Sequence, residues 1–429
     1  MQYQSYWHDT APAFTGGQAG PVEGRYDVAV IGAGFTGLNA ARKLARQGVK
    51  VAVLEAAHVG AGGSGRNGGH LNNGVAHGYA DAKAHLGAER AQTLYRAYDR
   101  SIDMIEEVIA EEGIACDFRR SGKLKLASKP SHAAGLRANQ ELIAREVDPD
   151  TDWLDRSDLP AEIGSQSFHG AALFKKSGMM HMGKYLNGLA QASLRHGAAI
   201  WENAPVTART KTRDGWELET PLGRLQATTV IAATGAYSAQ VPQAPLGYFH
   251  KRIISMASFL IATRPLTEAE VAATMPGNRT CVTSLNIGNY FRLSPDNRLI
   301  FGGRARFSSV SDQRSDAKSG AMLRAAMQGL FPHLSGVEID YCWGGLVGLT
   351  TDRFPRAGVA DGMVFGMGYS GHGAQLSTLL GQVLADLAMG RTDTNPLDGM
   401  DWPAVPALNG RPWFLPLAGM WFKLKDRIS

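Results

Sequence analysis

The sequence is poor in cysteine and has little net charge, and both features exclude classes of protein. Cys116, Cys281 and Cys342 are the only cysteines in 429 residues, and they form no CxxC pair. Their spacing predicts neither a zinc site nor a disulfide framework, so no metal is expected. The 44 Lys and Arg against 39 Asp and Glu leave a formal charge of +5 without a basic cluster. Nucleic-acid binding is therefore not expected.

Long hydrophobic runs are also lacking. The strongly apolar stretch 253–262 is interrupted by Ser255 and Ser258, and it is about half the ~20 residues that a membrane-spanning helix needs. The first residues show no basic segment followed by an apolar run, as a signal peptide would. Together with the few cysteines, these absences favour a cytoplasmic protein.

Glycine, in contrast, is abundant, with 51 of 429 residues, and its clusters carry the functional signals. A short apolar run at 27–31 is followed by Gly32, Gly34 and Gly37, and then by apolar residues at helical spacing. A second apolar run covers 50–56. Two buried strands joined by an amphipathic helix predict a βαβ unit and hence a parallel sheet.

The glycine pattern G-x-G-x-x-G between a strand and a helix is typical of a dinucleotide site. The first glycine permits a tight turn, the second lets a pyrophosphate approach the backbone, and the third lets the helix pack on the strand. Free N–H groups at the helix start, at Phe35 and Thr36, favour the negative pyrophosphate. Glu55, followed by Ala56, is placed to accept hydrogen bonds from ribose hydroxyls. These features alone fit both FAD and NAD.

Further elements lie along the rest of the chain. The segment 60–69 contains six glycines, and it suits either a cofactor that continues past its pyrophosphate or a flexible surface loop. Apolar runs at 229–234 and 363–367 predict two more buried strands. Helices are predicted over 91–112, 185–195 and 375–389, an alternating strand over 123–127, and a β-rich region over 253–302.

Five motifs resemble those of the D-amino-acid-oxidase-type flavoenzymes, a superfamily that includes glycine and sarcosine oxidases. Within it, the stronger likeness is to bacterial γ-glutamylputrescine oxidase and L-pipecolate oxidase, and it extends from about Tyr26 to the tail. The segments 290–303, 343–352 and 415–427 resemble the putrescine-type enzyme in particular. The motifs are GAGFTG at 32–37, LEA at 54–56, GGSGRNGG at 62–69, ATGAYS at 233–238 and GYSGHG at 368–373.

The resemblance implies an α/β fold with two domains. A discontinuous Rossmann-like FAD-binding domain with a parallel sheet would carry an inserted α+β substrate domain with a mainly antiparallel sheet. The expected divisions are an N-terminal arm at 1–24, an FAD-binding domain at 25–80, 178–240 and 335–400, a substrate domain at 81–177 and 241–334, and a tail at 401–429.

The resemblance also implies which residues hold FAD. The N-terminus of the helix that starts near Gly373 would stabilise negative charge on the reduced flavin ring. The expected FAD-binding residues are Gly32, Gly34, Phe35, Thr36, Gly37, Glu55, Ala56, Gly63, Ser64, Arg66, Asn67, Gly68, Gly69, Val206, Thr234, Gly235, Gly371 and Gly373.

The implied reaction is oxidation of the C–N bond of an amine or amino-acid derivative. Hydride passes from the carbon next to the nitrogen to flavin N5, and the resulting imine hydrolyses. A γ-glutamylputrescine-like amine is favoured over an L-pipecolate or sarcosine-type amino acid. The electron acceptor is O2 or a quinone. The alternatives are an NAD-dependent dehydrogenase and a non-catalytic flavoprotein.

Three positions depart from the patterns of relatives. Gly345 stands where some relatives attach FAD through a cysteine, so we expect non-covalent FAD and a buried, apolar Cys342. Gln375 replaces a lysine that holds the substrate carboxylate in sarcosine-type enzymes. Ile300 falls near the lysine that those enzymes use for oxygen activation, and it is not a base.

The residues of the substrate pocket are less well defined. His70 and His372 are the candidate catalytic residues, although His372 could act through its backbone alone. Tyr290 and Arg292 alternate on a predicted strand and face the same side, and with Gln375 they are the candidate substrate-binding residues. An exposed cross-strand pair is the alternative for Tyr290 and Arg292. The aromatic and basic tail at 413–427 is expected to pack on its own domain or a partner subunit, and membrane contact is not expected.

Overall fold

The computed structural model describes residues 1–76, 78–239, 246–308, 310 and 312–428, and the following helices and strands lie within these ranges. The helices are α1 (Tyr6–Thr10), α2 (Phe35–Arg46), α3 (Tyr79–Leu86), α4 (Ala88–Glu112), α5 (Pro130–Glu146), α6 (Met182–Arg195), α7 (Gly247–His250), α8 (Glu268–Thr274), α9 (Ala317–Leu330), α10 (Gly373–Ala388) and α11 (Leu415–Ile428). The strands are β1 (Arg25–Ile31), β2 (Val51–Leu54), β3 (His70–Leu71), β4 (Lys123–Leu126), β5 (Thr151–Leu154), β6 (Ala171–Phe174), β7 (Gly178–Met179), β8 (Ala199–Trp201), β9 (Ala208–Thr212), β10 (Gly215–Thr220), β11 (Gly223–Ala232), β12 (Ile254–Thr263), β13 (Thr280–Thr283), β14 (Tyr290–Leu293), β15 (Leu299–Arg306), β16 (Ile339–Leu349), β17 (Arg356–Ala360) and β18 (Met363–Met367).

The first sheet has the parallel core that the apolar runs predict. Strands β18, β11, β1, β2 and β8 run parallel in that order. Strand β17 adds to β18 antiparallel, and β10 with β9 forms an antiparallel extension of β11. The parallel strands are buried on both faces, because α2 and α10 cover one side and a core that includes Trp201 and Phe249 covers the other. Their sequences are therefore continuous apolar runs.

The second sheet is mainly antiparallel, in the order β16-β12-β15-β14-β13-β4-β6-β5, with a single parallel pair between β13 and β4 among the described strands. Its two faces differ in chemistry. Leu124 and Leu126 of β4 lie in a core that packs against α9, whereas Lys123 and Lys125 alternate onto the opposite face. That opposite face looks toward the first sheet, since Tyr290 and Trp343 join the core that the two sheets share.

Both sheets bear out the predicted fold class, and two details differ from the expected divisions. Strand β16 pairs with β12, so the second sheet continues past residue 334, where the FAD-binding domain was expected to resume. The N-terminal arm at 1–24, for which no helix or strand was predicted, contains α1, whose Trp7 is completely buried. The expected boundary between residues 240 and 241 lies outside the described residues.

The long helix α4 packs on α10 and follows its predicted spacing. In α4, Leu94, Tyr98, Ile102 and Ile105 are buried, and Gly113 ends the helix in a left-handed conformation. None of the helices in the described ranges combines the length and the apolar character that crossing a bilayer requires.

Candidate active site

The sequence motifs meet at one edge of the first sheet. Gly32 follows the carboxyl end of β1, Glu55 follows β2, Ala233 follows β11 and Gly368 follows β18. In open parallel sheets, ligands bind outside the carboxyl ends of the strands, where the strand order reverses. That reversal falls between β1 and β11, because the chain moves from β1 outward through β2 and β8 and returns to the other side of β1.

The first glycine motif has the close contacts that exclude a side chain. Gly32 has φ +106°, and a Cβ there would lie 2.9 Å from the carbonyl oxygen of Ala233. A Cβ on Gly37 would lie 2.0 Å from the carbonyl oxygen of Gly32, so α2 packs directly on the turn. A Cβ on Gly34 would lie 2.9 Å from Ser64 Oγ. The glycines therefore leave a backbone surface that a ligand can approach.

The start of α2 links this turn to two other motifs. The Phe35 N–H donates to Ser64 Oγ over 2.9 Å, which brings the second glycine loop to the positive end of the helix. Thr36 shares a hydrogen bond of 2.6 Å with the Tyr369 hydroxyl, which brings the GYSGHG segment to the same helix. The remaining free N–H groups and the helix dipole favour an anion here.

Glu55 lies at the end of β2, where it was expected. Its carboxylate accepts hydrogen bonds from the N–H of Ala33 at 2.7 Å and of Ala57 at 3.0 Å. Burial raises the pKa of Glu55, against the opposing effect of these two donors. A carboxylate accepts up to about four hydrogen bonds, so sites remain for ribose hydroxyls. The neighbouring Ala56 is exposed.

The second glycine loop is held in shape by its own side chains. The Asn67 amide donates to the carbonyls of Gly63 and Ser64, and its oxygen accepts from the Gly69 N–H. Arg66 donates to the Ala61 carbonyl and, across the domains, to the Gly344 carbonyl. The loop is thus ordered, in contrast to the flexible surface loop that composition allowed.

Helix α1, which was not among the predicted elements, supports the same loop. Ser5 Oγ donates to the Gly65 carbonyl at 2.6 Å, and Trp7 Nε1 donates to the Asn67 carbonyl at 2.6 Å. The His8 ring lies 3.1 Å from the Gly60 carbonyl oxygen. The signal was present, because Ser5 is an N-cap residue followed by two aromatic residues and an acid in the first turn.

The residues expected at the adenine end and beyond lie along the neighbouring strands. Val206 is buried next to β8, in a core shared with β1 and β2. Thr234 follows β11 and shares a 2.6 Å hydrogen bond with Ser238. Gly235 has φ +51° and faces open space. Both Thr234 and Gly235 are partly exposed at the edge of the sheet where the other motifs meet.

The last motif forms the start of α10, as predicted. Gly371 has φ +91° with open space around it, His372 is the N-cap residue, and Gly373 begins the helix. The His372 ring packs edge-on against the buried Tyr98, with 5.6 Å between ring centroids. Within this turn the Ser370 N–H donates to the Gly348 carbonyl at 3.0 Å and the His372 N–H to the Tyr369 carbonyl at 2.9 Å. The N–H groups left without an intrahelical partner are therefore those of the first turn of α10.

His70 lies on β3, inside that cleft, and packs edge-on against Tyr290 at 5.6 Å. Burial, followed by the charges of Arg292 and Lys123, lowers the pKa of His70 to about 3, so the imidazole is neutral. Its Nε2 is buried and has no hydrogen-bond partner within the described part of the chain. Buried polar atoms rarely stay unpaired, so this atom fits a contact with a bound molecule.

Gln375, in the first turn of α10, is buried and donates to the Asn72 carbonyl at 2.6 Å. The Asn72 side-chain oxygen, next in the chain after β3, is another buried atom without a hydrogen-bond partner among the described residues. Gln375 therefore fixes the segment that carries His70 and Asn72.

Tyr290 and Arg292 face the same side of β14, as predicted, and both meet the second glycine loop. The Tyr290 ring lies against Gly68, and its hydroxyl is 3.3 Å from Ser258 Oγ. The Arg292 guanidinium is buried and donates to the carbonyls of Gly69 at 2.6 Å and Met180 at 2.9 Å. A substrate carboxylate would have to share this group with two carbonyls. Arg292 therefore supports the glycine loop through these two hydrogen bonds. The alternative interpretation, that it belongs to an exposed cross-strand pair, is wrong because its side chain is buried.

A family model for FAD dependent oxidoreductases matches residues 27–387, most of the chain and all of the motifs above. The chain belongs to this family. Its dinucleotide is therefore FAD, and the NAD-dependent alternative is set aside.

Relatives and solved structures agree with this assignment. The chain is 35% identical to a probable oxidoreductase OrdL of Haemophilus influenzae, covering 90% of this chain and 87% of that one. It is 32% identical to a gamma-glutamylputrescine oxidoreductase of Escherichia coli, covering 94% and 93%. In structure it resembles a glycine oxidase from Geobacillus kaustophilus, with a TM-score of 0.72, 23% identity and coverage of 86% and 95%. The last likeness shows the fold.

The residues present in this FAD-dependent oxidoreductase fit the cofactor. Gly32, Gly34, Ser64 and Glu55 are partly exposed at the sheet edge, so the glycine cradle is open to a pyrophosphate and a ribose. The cleft beyond them contains the unpaired Nε2 of His70. When bound, FAD supplies the oxidising power, and the chain supplies binding, orientation and a neutral imidazole.

Position 345 bears on how the flavin is held. A Cβ on Gly345 would lie 2.9 Å from Arg66 Cβ, and Trp343 Nε1 donates to the Arg66 carbonyl at 3.1 Å. The absence of a side chain lets the glycine loop dock on β16. Cys342 is buried in the second core, and Ile300 is buried in the shared core. Non-covalent FAD remains a prediction.

Proposed function

We propose that this enzyme oxidises the C–N bond of an amine or amino-acid derivative, and that a γ-glutamylated diamine is its substrate. The supporting observation is the likeness to the E. coli gamma-glutamylputrescine oxidoreductase, which covers nearly the full length of both chains. When bound, FAD would supply the oxidising power for this reaction, and the imine product would hydrolyse in water.

The cleft supports this reaction by positioning. His70 is neutral and can accept or donate a hydrogen bond without adding charge beside the amine. The free N–H groups and the dipole at the start of α10 would stabilise negative charge on a flavin ring bound beside them. His372 and Tyr98 form an aromatic wall next to this turn.

The charges around the cleft favour a substrate with a distant carboxylate. Lys125 lies on the cleft side of the second sheet. Among the described residues, the charge that acts on it is the positive one of Arg353, and no carboxylate pairs with it. Val282 of β13 pairs with both Lys125 and Tyr290, so the lysine lies two strands, or about 10 Å, from Tyr290. A γ-glutamylated diamine carries its carboxylate far from the oxidised amine and can span this distance. A small α-amino acid cannot.

Anaerobic bleaching of the flavin absorbance tests the proposal. γ-Glutamylputrescine should bleach the holoenzyme faster than putrescine, L-pipecolate or sarcosine. Bleaching by pipecolate or sarcosine alone would establish the rival amino-acid activity, and no bleaching by any amine would refute amine oxidation.

A lysine variant separates recognition from chemistry. Lys125→Met should raise KM for γ-glutamylputrescine roughly ten- to a hundredfold with little change in kcat, since a charge-assisted hydrogen bond is worth roughly 1.5–3 kcal/mol. Lys211→Met, which removes an exposed lysine from β9 of the other sheet, is the matched control. Equal KM values for both variants would show that Lys125 does not bind the substrate.

Reoxidation of the reduced enzyme by O2 and by a soluble quinone, measured in parallel, identifies the electron acceptor.

A further inference from the structure

The C-terminal helix α11 has an apolar face that the rest of the described chain leaves uncovered. Leu417, Met420, Trp421, Leu424 and Ile428 follow the three- and four-residue spacing of one helix face. Leu417 is 60% exposed, Trp421 62% and Ile428 77%. Trp413, just before the helix, is exposed as well. Isolated exposed apolar residues are ordinary, but a continuous stripe of this kind marks a contact surface.

The opposite face of α11 is fixed to the second sheet, so the stripe is held facing outward. Phe422 packs on Phe307, with 6.0 Å between ring centroids. The Asp426 carboxylate accepts hydrogen bonds from the N–H groups of Asn286 at 2.8 Å and Ile287 at 2.9 Å. Leu415 is buried on the same side. The sequence-based expectation that the tail packs on its own domain is thus correct for one face of the helix.

Positive charges flank the stripe on both sides. At 100° per residue, Lys423 and Arg427 lie along one edge of the stripe and Lys425 along the other. All three are exposed. The single acid of the helix, Asp426, faces the protein, where its charge is bound by the two N–H groups. The outer surface is therefore apolar in the middle and cationic at its rims.

We propose that α11 anchors this enzyme to an anionic lipid surface, with the apolar stripe buried below the phosphate groups. Helices that lie in the membrane interface have this arrangement, and their long cationic side chains reach back to the headgroups. At about 1.5 Å per residue, a 14-residue helix is some 20 Å long and lies in the plane without crossing a ~30 Å core. A protein partner fits less well, because lysine is depleted in protein interfaces.

Cosedimentation with vesicles tests the anchor. The holoenzyme should bind vesicles of equimolar phosphatidylglycerol and phosphatidylcholine at least tenfold more strongly than phosphatidylcholine alone, and salt should weaken the difference. The double variant Leu417→Ser, Trp421→Ser should lose at least tenfold in binding to the anionic vesicles. Lys423→Gln with Arg427→Gln should lower binding to the anionic vesicles only.

Val359→Ser is the matched control, because Val359 is equally exposed at 66% on β17 of the other sheet. It should bind as the wild type does, and all variants should keep their flavin absorbance. Wild-type enzyme that stays in the supernatant with anionic vesicles would overturn the proposal. So would a double variant that sediments normally, or a dimer in light scattering that this double variant dissociates, since a second copy would then cover the stripe.

Discussion

At the scale of single residues, Gly34 is the position on which cofactor binding depends most directly. A Cβ on Gly34 would lie 2.9 Å from Ser64 Oγ. A larger side chain there would fill the space through which the pyrophosphate would approach the helix. Gly34→Val should therefore fold without flavin, with FAD content below a tenth of the wild-type value. The absorbance of the purified protein in the flavin band, at roughly 450 nm, measures this content.

Gly135→Ala is the control for this substitution. Gly135 lies within α5 with open space around it, so alanine there should leave the flavin content unchanged. A fully pigmented Gly34→Val protein would show that the first glycine motif does not hold the cofactor.

Gly345 gives a second prediction at this scale, on the linkage of the flavin. Acid precipitation should release the colour into the supernatant, because position 345 offers no sulfur and Cys342 is buried in the core on the other side of the sheet. Gly345→Cys should lower the flavin content, since its Cβ would lie 2.9 Å from Arg66 Cβ and would displace the loop. Colour that remains in the wild-type pellet would contradict non-covalent binding.

At the scale of elements, α1 is a five-residue helix that acts on the cofactor loop from behind. Trp7→Ala should weaken FAD binding at least tenfold, because it removes the hydrogen bond to the Asn67 carbonyl and opens a cavity beside Gly69. Trp7→Phe keeps most of the packing, so its affinity for FAD should lie between those of the wild type and Trp7→Ala. Titration of each apoenzyme with FAD measures these affinities. Tyr3→Ala, at an exposed position before the helix, should bind FAD as the wild type does. If Trp7→Ala also bound FAD with wild-type affinity, α1 would not support the cofactor loop.

The junction of α2, α4 and α6 gives a prediction on acid stability. Burial would raise the pKa of Glu112, but hydrogen bonds and charge from Arg42 and His196 lower it to about 2. A carboxylate whose pKa is lower in the folded than in the unfolded chain stabilises fully above about pH 5, and this stabilisation is lost as the pH falls toward 2. Glu112→Gln should cost about 2 kcal/mol at neutral pH, because the buried Arg42 loses one charge-assisted hydrogen bond and keeps only Glu111 as an acidic partner.

Thermal unfolding at roughly pH 3 to pH 7 measures how the stabilisation by Glu112 changes as carboxylates are protonated. The destabilisation of Glu112→Gln relative to the wild type should shrink as the pH falls. Glu89→Gln, at an exposed position at the start of the same helix, should change little. A difference between Glu112→Gln and the wild type that is constant with pH would contradict the lowered pKa.

The elements that could be predicted from the sequence are those with a strong local pattern. The βαβ unit, α4 and the strand before GYSGHG have apolar periods or glycine turns that few other structures produce. Helix α1 has too few residues for a period, and its stability comes from the burial of Tyr6 and Trp7 in the core that the two sheets share. The exposure of the apolar face of α11 could not be predicted either, because its spacing is the same as that of a helix packed on a core.

At the scale of the whole molecule, the fold joins segments that are far apart in the chain, and local patterns do not specify such pairings. Residues 25–54, 199–232 and 356–367 supply the first sheet. The family resemblance indicated this arrangement, but it placed β16 in the FAD-binding domain. The role of Arg292 could not be predicted either, because its carbonyl partners, Gly69 and Met180, lie more than a hundred residues away.

Because the FAD cradle lies where three chain segments and two sheets meet, cofactor binding should stabilise the whole molecule. Ligand that binds only the folded state adds about 2.7 kcal/mol at a hundredfold excess over Kd. FAD should therefore raise the Tm of the apoenzyme by several degrees, whereas NAD, which lacks the flavin that fills the cleft, should raise it much less. Tryptophan fluorescence during heating measures both. A larger shift with NAD would contradict the assignment of the cleft to flavin, and Gly34→Val, which cannot accept the pyrophosphate, should respond to neither.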